Sequence, residues 1–506
     1  MTSIVRSSTV SDILRRSAGR VPDRVALKFA GRTWTYAELD AAVTRAAAHL
    51  LSLGLRHGDR VAAYGKNSDA FLLGFLACAR AGLVHVPVNY NLTGDELAYL
   101  LQQSGSTVAL VDPALRGNVD ELGLPLKHIL PLRDSDGSLL AVASAGEVPT
   151  VDAEVADTDL VQLLYTSGTT SRPKGAMMTH RALVHEYLSC IVDLDLTDGD
   201  DPLHVMPLYH SAQMHVFLLP WLAVGATNTL LEIPDPADIL RGLAADRHGA
   251  FFAAPTLWVA LANHPDFGAQ DLSALRKAYY GASIMPGPVL ERLRQAMPEL
   301  GFYNCFGQSE IGPLAAVLRP EDHEARPDSA GRPVLFVEAR VVDAEGNDVA
   351  PGELGEVVYR SPQLCLGYWD KPEETEEAFA GGWFHSGDLV RLDEEGYLFV
   401  VDRIKDVINT GGVMVASREV EDALYTHPAV GEVAVVGLPD EKWIEAITAV
   451  VVPKDKAVAE DELTRWVKDR LASFKVPKRV HFVDDLPRNA SGKILKRELR
   501  DRLAGR

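Results

Sequence analysis

The sequence predicts an α/β protein with a large N-terminal domain of βα subdomains, which includes a small β-barrel-like subdomain, and a small α+β C-terminal domain. In the first half of the chain, helical patterns alternate with short apolar runs, as expected for βαβ units around largely parallel sheets. Residues 331–401 contain short alternating strands separated by glycine turns, which predict antiparallel sheet or a barrel. Residues 406–506 alternate again between helix and strand and are numerous enough to fold separately. We therefore predict domains at 1–401 and 406–506, joined by residues 402–405.

Two capping motifs predict helix starts in the first half. Thr35-x-x-Glu38 and Thr93-x-x-Glu96 both have the pattern in which two side chains satisfy the free backbone amides of a first helical turn. The first motif opens a helix whose apolar face comprises Leu39, Val43, Ala46 and Leu50. Apolar runs at 61–64 and 107–111 are predicted to be the strands that follow these helices.

The longest apolar stretch, 71–88, does not predict a membrane span. It contains Arg80 and is interrupted by Gly82 and Pro87, so it is too short and too broken to cross a bilayer. A buried helix followed by a strand is the predicted structure.

Composition restricts the class of partner. The chain has 506 residues and 47% apolar content, and its 50 basic against 70 acidic residues give a net charge of −20. This excess of negative charge disfavours nucleic acids and anionic membranes as general partners. An anionic ligand therefore has to meet a local concentration of positive charge.

The cysteines and the N-terminus both favour a cytoplasmic protein. Cys78, Cys190, Cys305 and Cys365 lack the paired spacing of a disulfide framework or a metal cluster. The N-terminus lacks the charged and apolar regions of a secretory signal. Residues 1–20 are rich in arginine and serine, which would suit a transit peptide, but an ordinary first helix is the preferred interpretation.

The most informative stretch is YTSGTTSRPKG at 165–175, which predicts a cradle for a polyphosphate. Gly168 and Gly175 allow tight turns, and Lys174 supplies positive charge. Hydroxyl groups for anionic oxygens come from Thr166, Ser167, Thr169 and Thr170. The spacing differs from that of a Walker A loop. A flexible linker is the alternative, but the apolar run 161–165 predicts a strand that leads directly into the loop.

A second group of polar and aromatic residues lies at 303–310, YNCFGQSE. Asn304 is a candidate for reading a base edge, Phe306 for packing on a ring, and Glu310 for binding Mg²⁺. Taken alone, the pattern favours a core phenylalanine and a solvated surface acid over a binding site.

Two later motifs contain further candidates. In HSGDL at 385–389, Asp388 follows a predicted glycine turn and is placed to accept from ribose hydroxyls, or alternatively to cap the turn. In PRNASGK at 487–493, Lys493 is predicted to end a glycine-containing turn; a solvated basic tail is the alternative.

These motifs, in this order, resemble the acyl-adenylate-forming superfamily of acyl-CoA synthetases, adenylation domains of nonribosomal peptide synthetases and firefly-type luciferases. The motifs that carry the resemblance are YTSGTTSRPKG, YNCFGQSE, GELGEVVYRSPQLCLGYWDKPEET, GWFHSGDL, DRIKD and PRNASGK. The resemblance covers residues 10–500. It implies a mobile C-terminal domain that rotates between two half-reactions, with ATP, Mg²⁺ and CoA as cofactor and substrates.

The resemblance also implies roles for individual residues. Lys174 and the hydroxyls of the 165–175 loop would hold the ATP phosphates, Glu310 and Thr166 would hold Mg²⁺, and Lys493 would bridge the carboxylate and the α-phosphate. The remaining nucleotide-side positions implied are Gly281, Ala282, Ser283, Asn304, Cys305, Phe306, Gly307, Ser309, Asp388, Val400 and Arg403. Lys405 matches the hinge, and Gly411 and Gly412 match the loop that lines the pantetheine channel.

Several positions depart from the family pattern. Ser171 stands where the phosphate loop usually has glycine, and Phe306 and Ser309 replace the commoner tyrosine and threonine. Val413 and Met414 replace a frequent Glu-Asn pair, which puts the details of the thioester-forming arrangement in question.

The segment PLYHSAQMHVFLLPW at 207–221 corresponds to the start of the acyl pocket, and His210 matches an aromatic gate residue. The segment lacks the aspartate that pairs with an amino-acid ammonium. Its apolar residues, Tyr209, Met214, Val216, Phe217 and Trp221, predict a pocket for a medium- or long-chain fatty acid, although a helical core stripe explains them equally well. Gln213, where glycine is frequent, is expected to narrow or polarise the channel.

The sequence therefore predicts an acyl-CoA synthetase that activates a hydrophobic carboxylic acid with ATP and transfers the acyl group to CoA. The alternative is an acyl-AMP ligase that loads the phosphopantetheine thiol of an acyl carrier protein. A non-catalytic nucleotide-binding protein is disfavoured by the joint presence of the charged candidate residues. The expected partners are small molecules and not nucleic acid, and a homodimer remains open.

Overall fold

The computed structural model describes residues 8–166, 172–283, 285, 287–455, 457–488 and 494–504. The helices are α1 (Val10–Arg20), α2 (Tyr36–Ser52), α3 (Asp69–Ala81), α4 (Gly94–Gln103), α5 (Arg116–Asp120), α6 (Leu139–Ser144), α7 (His180–Asp193), α8 (Leu219–Val224), α9 (Pro236–Ala245), α10 (Pro255–Asn263), α11 (Gly287–Ala296), α12 (Pro372–Ala378), α13 (Ser417–Tyr425), α14 (Glu460–Lys468) and α15 (Lys496–Leu503). A π-helix, Ala212–Leu218, leads into α8.

The strands up to the phosphate-loop region are β1 (Val25–Phe29), β2 (Arg32–Thr35), β3 (Arg60–Tyr64), β4 (Val84–Val88), β5 (Val108–Val111), β6 (His128–Pro131), β7 (Leu160–Thr166) and β8 (Lys174–Thr179). Those of the middle of the chain are β9 (Pro202–His204), β10 (Asn228–Leu230), β11 (Ala250–Ala253), β12 (Lys277–Gly281), β13 (Gly301–Phe306), β14 (Ala316–Leu318) and β15 (Arg332–Pro333). The last are β16 (Glu338–Val342), β17 (Leu354–Arg360), β18 (Phe384–Leu392), β19 (Leu398–Arg403), β20 (Ile408–Thr410), β21 (Val413–Val415), β22 (Val430–Asp440), β23 (Ile444–Pro453) and β24 (Arg479–Phe482).

Two large sheets form the frame of the N-terminal domain. One has the strand order β6-β5-β3-β4-β7-β8 and the other β15-β14-β13-β12-β11-β9-β10-β1-β2. Their central pairs are parallel, and β7-β8, β13-β14, β14-β15 and β1-β2 are antiparallel. The predicted βαβ architecture is confirmed, since helices connect most of the parallel strands.

The capping predictions have different outcomes. At the start of α2 the Thr35 hydroxyl accepts from the Glu38 amide at 3.2 Å, and the Glu38 carboxylate accepts from the Thr35 amide at 2.8 Å. At the start of α4 the predicted helix start is confirmed, with Thr93 as the residue before the helix, but the Thr93 side chain forms no capping bond, so the predicted cap is wrong. Gly94, the first residue of α4, has φ of 52°.

The apolar segment 71–88 folds as α3 followed by β4, both almost entirely buried, as predicted. Among the described residues, no helix combines the length and the apolar character needed to cross a membrane. The predicted face of α2, with Leu39, Val43, Ala46 and Leu50, is fully buried in the same core.

The remaining strands form two smaller sheets. The predicted antiparallel region is the four-stranded sheet β16-β17-β18-β19. The small C-terminal domain contains a sheet of order β21-β20-β23-β22, with β24 parallel to β23. Between the two sheets the chain makes a 3₁₀ turn at Ile404–Asp406, so the four-stranded sheet ends at Arg403 and the next strand starts at Ile408.

Candidate active site

Two of the phosphate-loop candidates, Thr166 and Lys174, lie at the ends of β7 and β8. These strands are antiparallel and pair Thr166 with Lys174, so the two residues flank the loop on opposite sides. The loop candidates Ser167, Gly168, Thr169 and Thr170 lie outside the described residues, as does Ser171. The predicted strand that leads into the loop is confirmed.

Glu310 lies next to this loop, on the 3₁₀ turn Ser309–Ile311, and is 7% exposed. Its Oε1 atom accepts from the Thr166 hydroxyl at 3.2 Å and from the Tyr368 hydroxyl at 3.1 Å. The Lys174 Nζ atom lies 5.0 Å from the centroid of the Tyr368 ring. Residues from three distant parts of the chain are therefore gathered at one point.

The donor set around Glu310 fits Mg²⁺. Mg²⁺ prefers oxygen ligands and is usually held by one or two carboxylates together with substrate phosphates. Here one carboxylate and two hydroxyls meet beside the strands that flank the phosphate loop. Among the described residues, no group of three or more His, Cys, Asp or Glu side chains is arranged as a metal site, so the substrate phosphates would have to complete the coordination.

Tyr368 was not among the residues predicted for the site. It belongs to the GYWD portion of a motif that the sequence contains, but nothing in its local pattern distinguishes it from a core aromatic. Its contact with Glu310 joins residues far apart in sequence. Burial and the nearby Glu310 carboxylate raise the pKa of Tyr368, so its hydroxyl remains a proton donor at neutral pH.

Glycines shape the nucleotide-side positions at the ends of β12 and β13. A Cβ atom on Gly281 would lie 2.2 Å from the Cys305 carbonyl oxygen, so the two strands approach each other too closely for any side chain there. Gly307 has φ of 153°, and a Cβ atom on it would lie 2.0 Å from the Pro313 carbonyl oxygen. Ala282 and Ser283, which follow Gly281, are exposed.

The 304–309 side chains make defined contacts of their own. The Asn304 amide nitrogen donates to the Ser329 carbonyl at 3.0 Å, and Phe306 packs at the edge of the core under the four-stranded sheet. The Ser309 hydroxyl lies 2.8 Å from the Ser211 hydroxyl. This last contact joins the nucleotide-side segment to the predicted acyl-pocket segment.

Asp388 and Arg403 are opposite each other on β18 and β19. Arg403 Nε lies 2.6 Å from Asp388 Oδ1, and its Nη1 donates to the Ser386 carbonyl at 3.2 Å. Asp388 lies within a strand, and not after a free glycine turn as predicted, although Gly387 has φ of 71°. The two predicted ribose-side residues are thus brought together.

The candidates beyond β18 lie at the junction and in the small domain. The Val400 carbonyl accepts from Arg418 Nη1 at 2.6 Å, and Lys405 is exposed on the 3₁₀ turn. Gly411 and Gly412 form the turn between β20 and β21, with φ of 65° and 85°. Lys493 lies outside the described residues.

His210 precedes the π-helix and is uncharged. Its Nδ1 atom accepts from the Ala212 amide at 3.3 Å, and burial lowers the pKa of His210 to about 4. It cannot therefore act as a cation near neutral pH.

Gln213, on the π-helix, is locked by buried polar contacts. Its Oε1 atom accepts from the Met206 amide at 3.0 Å, and its Nε2 atom lies 2.8 Å from His204 Nδ1. His204 Nε2 in turn lies 2.9 Å from the Asn228 side-chain oxygen. Gln213 is 1% exposed, so it fills space beside the segment that begins the predicted acyl pocket.

The apolar residues of the same segment are core residues. Met214, Phe217 and Trp221 are each at most 1% exposed, and the Phe217 ring stacks on Phe252 with centroids 4.2 Å apart. The core-stripe interpretation therefore describes these three. Tyr209 is only partly buried, and its hydroxyl has no hydrogen-bond partner within the described part of the chain.

Comparison with known proteins shows the family of this chain. Family models for "AMP-binding enzyme" and "AMP-binding enzyme C-terminal domain" match residues 14–369 and 419–493. A feruloyl-CoA synthase from an Amycolatopsis species is 40% identical over 493 residues, covering 96% of this chain and 97% of the relative. A fatty acid–[acyl-carrier-protein] ligase from Streptomyces coeruleorubidus is 35% identical over 504 residues, covering 96% and 94%. The ATP-bound crystal structure of MatB from Rhodopseudomonas palustris is 30% identical, covers 98% and 99% of the two chains, and superimposes with a TM-score of 0.89.

The family models account for both domains, and the similarity to CoA ligases extends over nearly the whole chain. The predicted activity class, an ATP-dependent acid–thiol ligase that uses ATP, Mg²⁺ and CoA, is confirmed. The chain belongs to the AMP-binding enzyme family, within the acyl-adenylate-forming superfamily.

Proposed function

We propose that the chain is an acyl-CoA synthetase for a compact aromatic carboxylic acid, with its adenylation site around Glu310. The observation that carries the site assignment is the meeting of Thr166, Lys174, Glu310 and Tyr368 beside the phosphate-loop strands. In the first step a carboxylate oxygen attacks the α-phosphorus of ATP and pyrophosphate leaves. In the second step the CoA sulfur attacks the acyl carbon and AMP leaves.

The first step is limited by charge repulsion and needs no general base. A carboxylic acid with a pKa of about 4 to 5 is already ionised at neutral pH, so two anions have to be brought together. Lys174 and the hydroxyls of residues 166–170 hold the phosphates, and Glu310 with Thr166 holds Mg²⁺. When bound, Mg²⁺ neutralises phosphate charge. Lys493, by resemblance to the family, bridges the carboxylate and the α-phosphate.

The other assigned residues position the nucleotide and the acid. Asp388 accepts from the ribose hydroxyls, and Arg403, 2.6 Å from it, orients its carboxylate. The ends of β12 and β13, residues 281–283 and 304–309, line the adenine. His210 serves as an uncharged gate between the nucleotide and the acid, which suits a residue whose pKa burial lowers to about 4.

The small domain rotates about residues 402–405 between the two steps. Support for this hinge comes from the 3₁₀ turn Ile404–Asp406, which separates the last strand of the large domain from the first strand of the small one. In this proposal Val400 lies beside the nucleotide, and Lys405 lies in the hinge about which the small domain rotates. The Gly411–Gly412 turn lines the pantetheine channel, where a side chain would obstruct the thiol arm.

The half-reactions of the Lys493→Ala variant test this division of labour. We expect acyl-AMP formation, measured as ATP–pyrophosphate exchange, to fall by about 1000-fold or more, because a preorganised charge is lost from the reacting phosphate. Thioester formation from supplied acyl-AMP should remain within about threefold of the unmodified protein, since that step needs no second anion brought to the phosphate. Exposed Lys454, replaced by alanine, is the matched control. Equal loss of both steps would contradict the role of Lys493.

Two observations favour a compact acid over a long chain. Gln213 occupies buried space through its contacts with Met206 and His204, and the apolar residues behind it are already packed against protein. Opening that space would expose core surface at a cost of about 25 cal/mol per Å². The Amycolatopsis relative is named for a feruloyl group, which is an aromatic acyl group. The Tyr209 hydroxyl, which has no hydrogen-bond partner among the described residues, offers a hydrogen bond to a ring substituent.

A fatty acid passed to a carrier protein is the second candidate. It is favoured by the Streptomyces coeruleorubidus relative, which is named for that reaction and matches the chain over most of its length. A panel of ferulate, benzoate, octanoate and palmitate, each with CoA or with a carrier protein, separates the candidates by mass spectrometry of the products.

We expect ferulate with CoA to be the preferred pair. Replacing Gln213 by alanine should raise kcat/KM for octanoate relative to ferulate by about tenfold, since space equal to a few methylene groups is released. Palmitate as the best acid for the unmodified protein, or transfer to the carrier protein only, would overturn the proposal.

A further inference from the structure

We propose that Glu186, acting through Gln363, is a positioning residue that sets the place of Glu310 and thereby the binding of the nucleotide-bound metal. This inference rests on the proposed assignment of Mg²⁺ to Glu310. Glu186 lies outside the motifs that predicted the site, and Gln363 lies within one of them, GELGEVVYRSPQLCLGYWDKPEET, but had no role assigned to it. Both side chains are completely buried.

Glu186 lies on α7 and holds the loop that follows Glu310. Its Oε1 atom accepts from the Leu314 amide at 2.9 Å, and its other oxygen accepts from Gln363 Nε2. Gly312, two residues after Glu310, passes so close that a Cβ atom on it would lie 2.7 Å from Glu186 Oε2. The carboxyl group therefore contacts the loop after Glu310 at two positions, Gly312 and Leu314.

Gln363 distributes this support over the loop. Its Nε2 atom also lies within hydrogen-bond distance of the Ile311 and Leu314 carbonyls, at 3.2 and 3.1 Å. Its Oε1 atom accepts from the Ser189 hydroxyl, one helical turn along α7 from Glu186, at 2.6 Å. Gln363 is thus held from both ends.

The segment that contains Gln363 continues directly to Glu310. The Cys365 amide donates to the Glu310 carbonyl at 2.8 Å, and the Tyr368 hydroxyl donates to the Glu310 carboxylate at 3.1 Å. Residues 363–368 therefore contact the Glu310 turn at three places: the Ile311 carbonyl, the Glu310 carbonyl and the Glu310 carboxylate. A shift of Gln363 would be transmitted to the Glu310 carboxylate through both later contacts.

Placing a carboxyl group at this buried position costs free energy, which indicates that Glu186 does more than fill space in the core. Burying a carboxyl costs several kcal/mol unless its partners compensate, and the described partners of Glu186 are uncharged donors. Two acceptor oxygens are nevertheless required, since Leu314 and Gln363 both point hydrogens at this side chain. Glutamine would present its NH₂ group to one of them. A conservative Glu186→Gln substitution should therefore displace the loop while preserving the volume of the core.

The experiment measures how strongly a divalent cation and ATP bind together. Dissociation constants for ATP on the full chain are obtained by calorimetry without metal and with Mn²⁺, whose bound state is followed independently by water proton relaxation. We expect Mn²⁺ to improve ATP binding by about tenfold less in Glu186→Gln than in the unmodified protein, with metal-free ATP binding changed less than about twofold. If Glu186 contributed only to stability, the factor by which Mn²⁺ improves ATP binding would be the same in Glu186→Gln and in the unmodified protein.

Three further variants make the result decisive. Asp200→Asn alters another buried carboxyl, bonded to Lys277 at 2.9 Å and remote from this loop, and should lower stability without changing the effect of Mn²⁺. Ser189→Ala, a milder change for use if Glu186→Gln does not fold, should weaken the effect of Mn²⁺ by about threefold. An unchanged effect in Glu186→Gln, or in Ser189→Ala if the former is unfolded, overturns the proposal, as does an equal change in Asp200→Asn.

The Glu310→Gln variant separates the assignment of the metal to Glu310 from the positioning role of Glu186. If it binds Mn²⁺ and ATP together as well as the unmodified protein, the assignment of the metal to Glu310 is wrong. If it loses the effect of Mn²⁺ while Glu186→Gln retains it, only the positioning role of Glu186 is wrong.

Discussion

The interior of the large domain contains a chain of polar side chains whose described partners are uncharged, whereas the small domain is held by ion pairs close to the linker that joins the domains. In the large domain, Tyr187, His215, Gln162 and His85 form a buried chain with contacts of 2.9, 2.7 and 3.1 Å. In the small domain, Arg500 lies 2.7 Å from Asp406, and Lys496 lies 2.7 Å from Glu421. These side chains are 12–27% exposed, but the large-domain chain is fully enclosed.

The difference follows from the cost of removing charge from water. A fully enclosed ion must be neutralised or paired at a cost of several kcal/mol, so a neutral hydrogen-bonded chain is the cheaper solution deep in a domain. Where side chains are partly exposed to water the same cost is small, so charged pairs can form there. The comparison predicts that acid weakens the first region and that salt weakens the second.

Lowering the pH should produce the largest effect, on the large domain. Burial lowers the pKa of His85 and His215 to about 3 and that of His204 to about 4, from an ordinary value of 6.5. Because these pKa values are depressed in the folded state, the unfolded state binds more protons below pH 6.5. The stability they contribute is therefore complete above about pH 6.5 and is lost as the pH falls toward 4.

Each of these histidines should lower the free energy of unfolding by up to about 1.4 kcal/mol for every pH unit below 6.5, because the unfolded state takes up its proton first. Urea unfolding between about pH 7.5 and pH 5 measures the effect, and a His85→Leu variant should respond less steeply by the share of one histidine. A free energy of unfolding that does not change over this range would show that the large domain does not depend on neutral histidines.

Asp402→Ala should have an intermediate effect at the junction. Asp402 accepts from the Ser417 amide and hydroxyl, both at 2.6 Å, at the start of α13. Loss of this cap should reduce the free energy of unfolding of the small domain by about 1–2 kcal/mol, with ATP–pyrophosphate exchange largely retained. Exposed Glu441, replaced by alanine, is the matched control. Equal destabilisation by both substitutions would mean that Asp402 does not hold the junction.

Arg500→Ala should have the smallest effect and should depend on salt. The pair with Asp406 is partly exposed, so its loss should cost less than about 1 kcal/mol, and the difference should disappear near 1 M salt. Unfolding in urea at low and high salt measures both quantities. A cost that persists in high salt would place this pair in the same class as the buried chain.

The local predictions succeeded where sequence neighbours decide the structure. The Thr35 and Glu38 side chains cap α2 because the groups they satisfy lie within one turn. The same pattern at Thr93 predicted the start of α4 correctly but not its cap, since the Thr93 side chain forms no capping bond and Gly94 has a positive φ, which a spacing rule does not include. Likewise Asp388 was found as a candidate, but its place inside a strand and its pairing with Arg403 depend on a neighbouring strand.

The acyl segment shows the limit of composition. Met214, Phe217 and Trp221 have the residue types of a ligand pocket and of a protein core alike, and they are core because helices and strands from elsewhere cover them. Gln213 was expected to narrow or polarise the channel, which stays a prediction; the structure shows that its side chain is buried and bonded to Met206 and His204. The motif at 207–221 gave no indication that Met206 and His204 would be the contact partners of Gln213.

The order of its motifs, through their resemblance to the acyl-adenylate-forming superfamily, determined the class of this chain and pointed to the candidates Thr166, Lys174 and Glu310. Local patterns predicted helices and strands, because the groups that start and end them lie close together in the sequence. Only the tertiary structure decided that Tyr368 contacts Glu310, that Glu186 and Gln363 lie behind it, and which apolar side chains are covered. These contacts join residues 58 to 177 positions apart. Their formation depends on how two sheets and their helices pack, and packing is a property of the whole chain rather than of any segment.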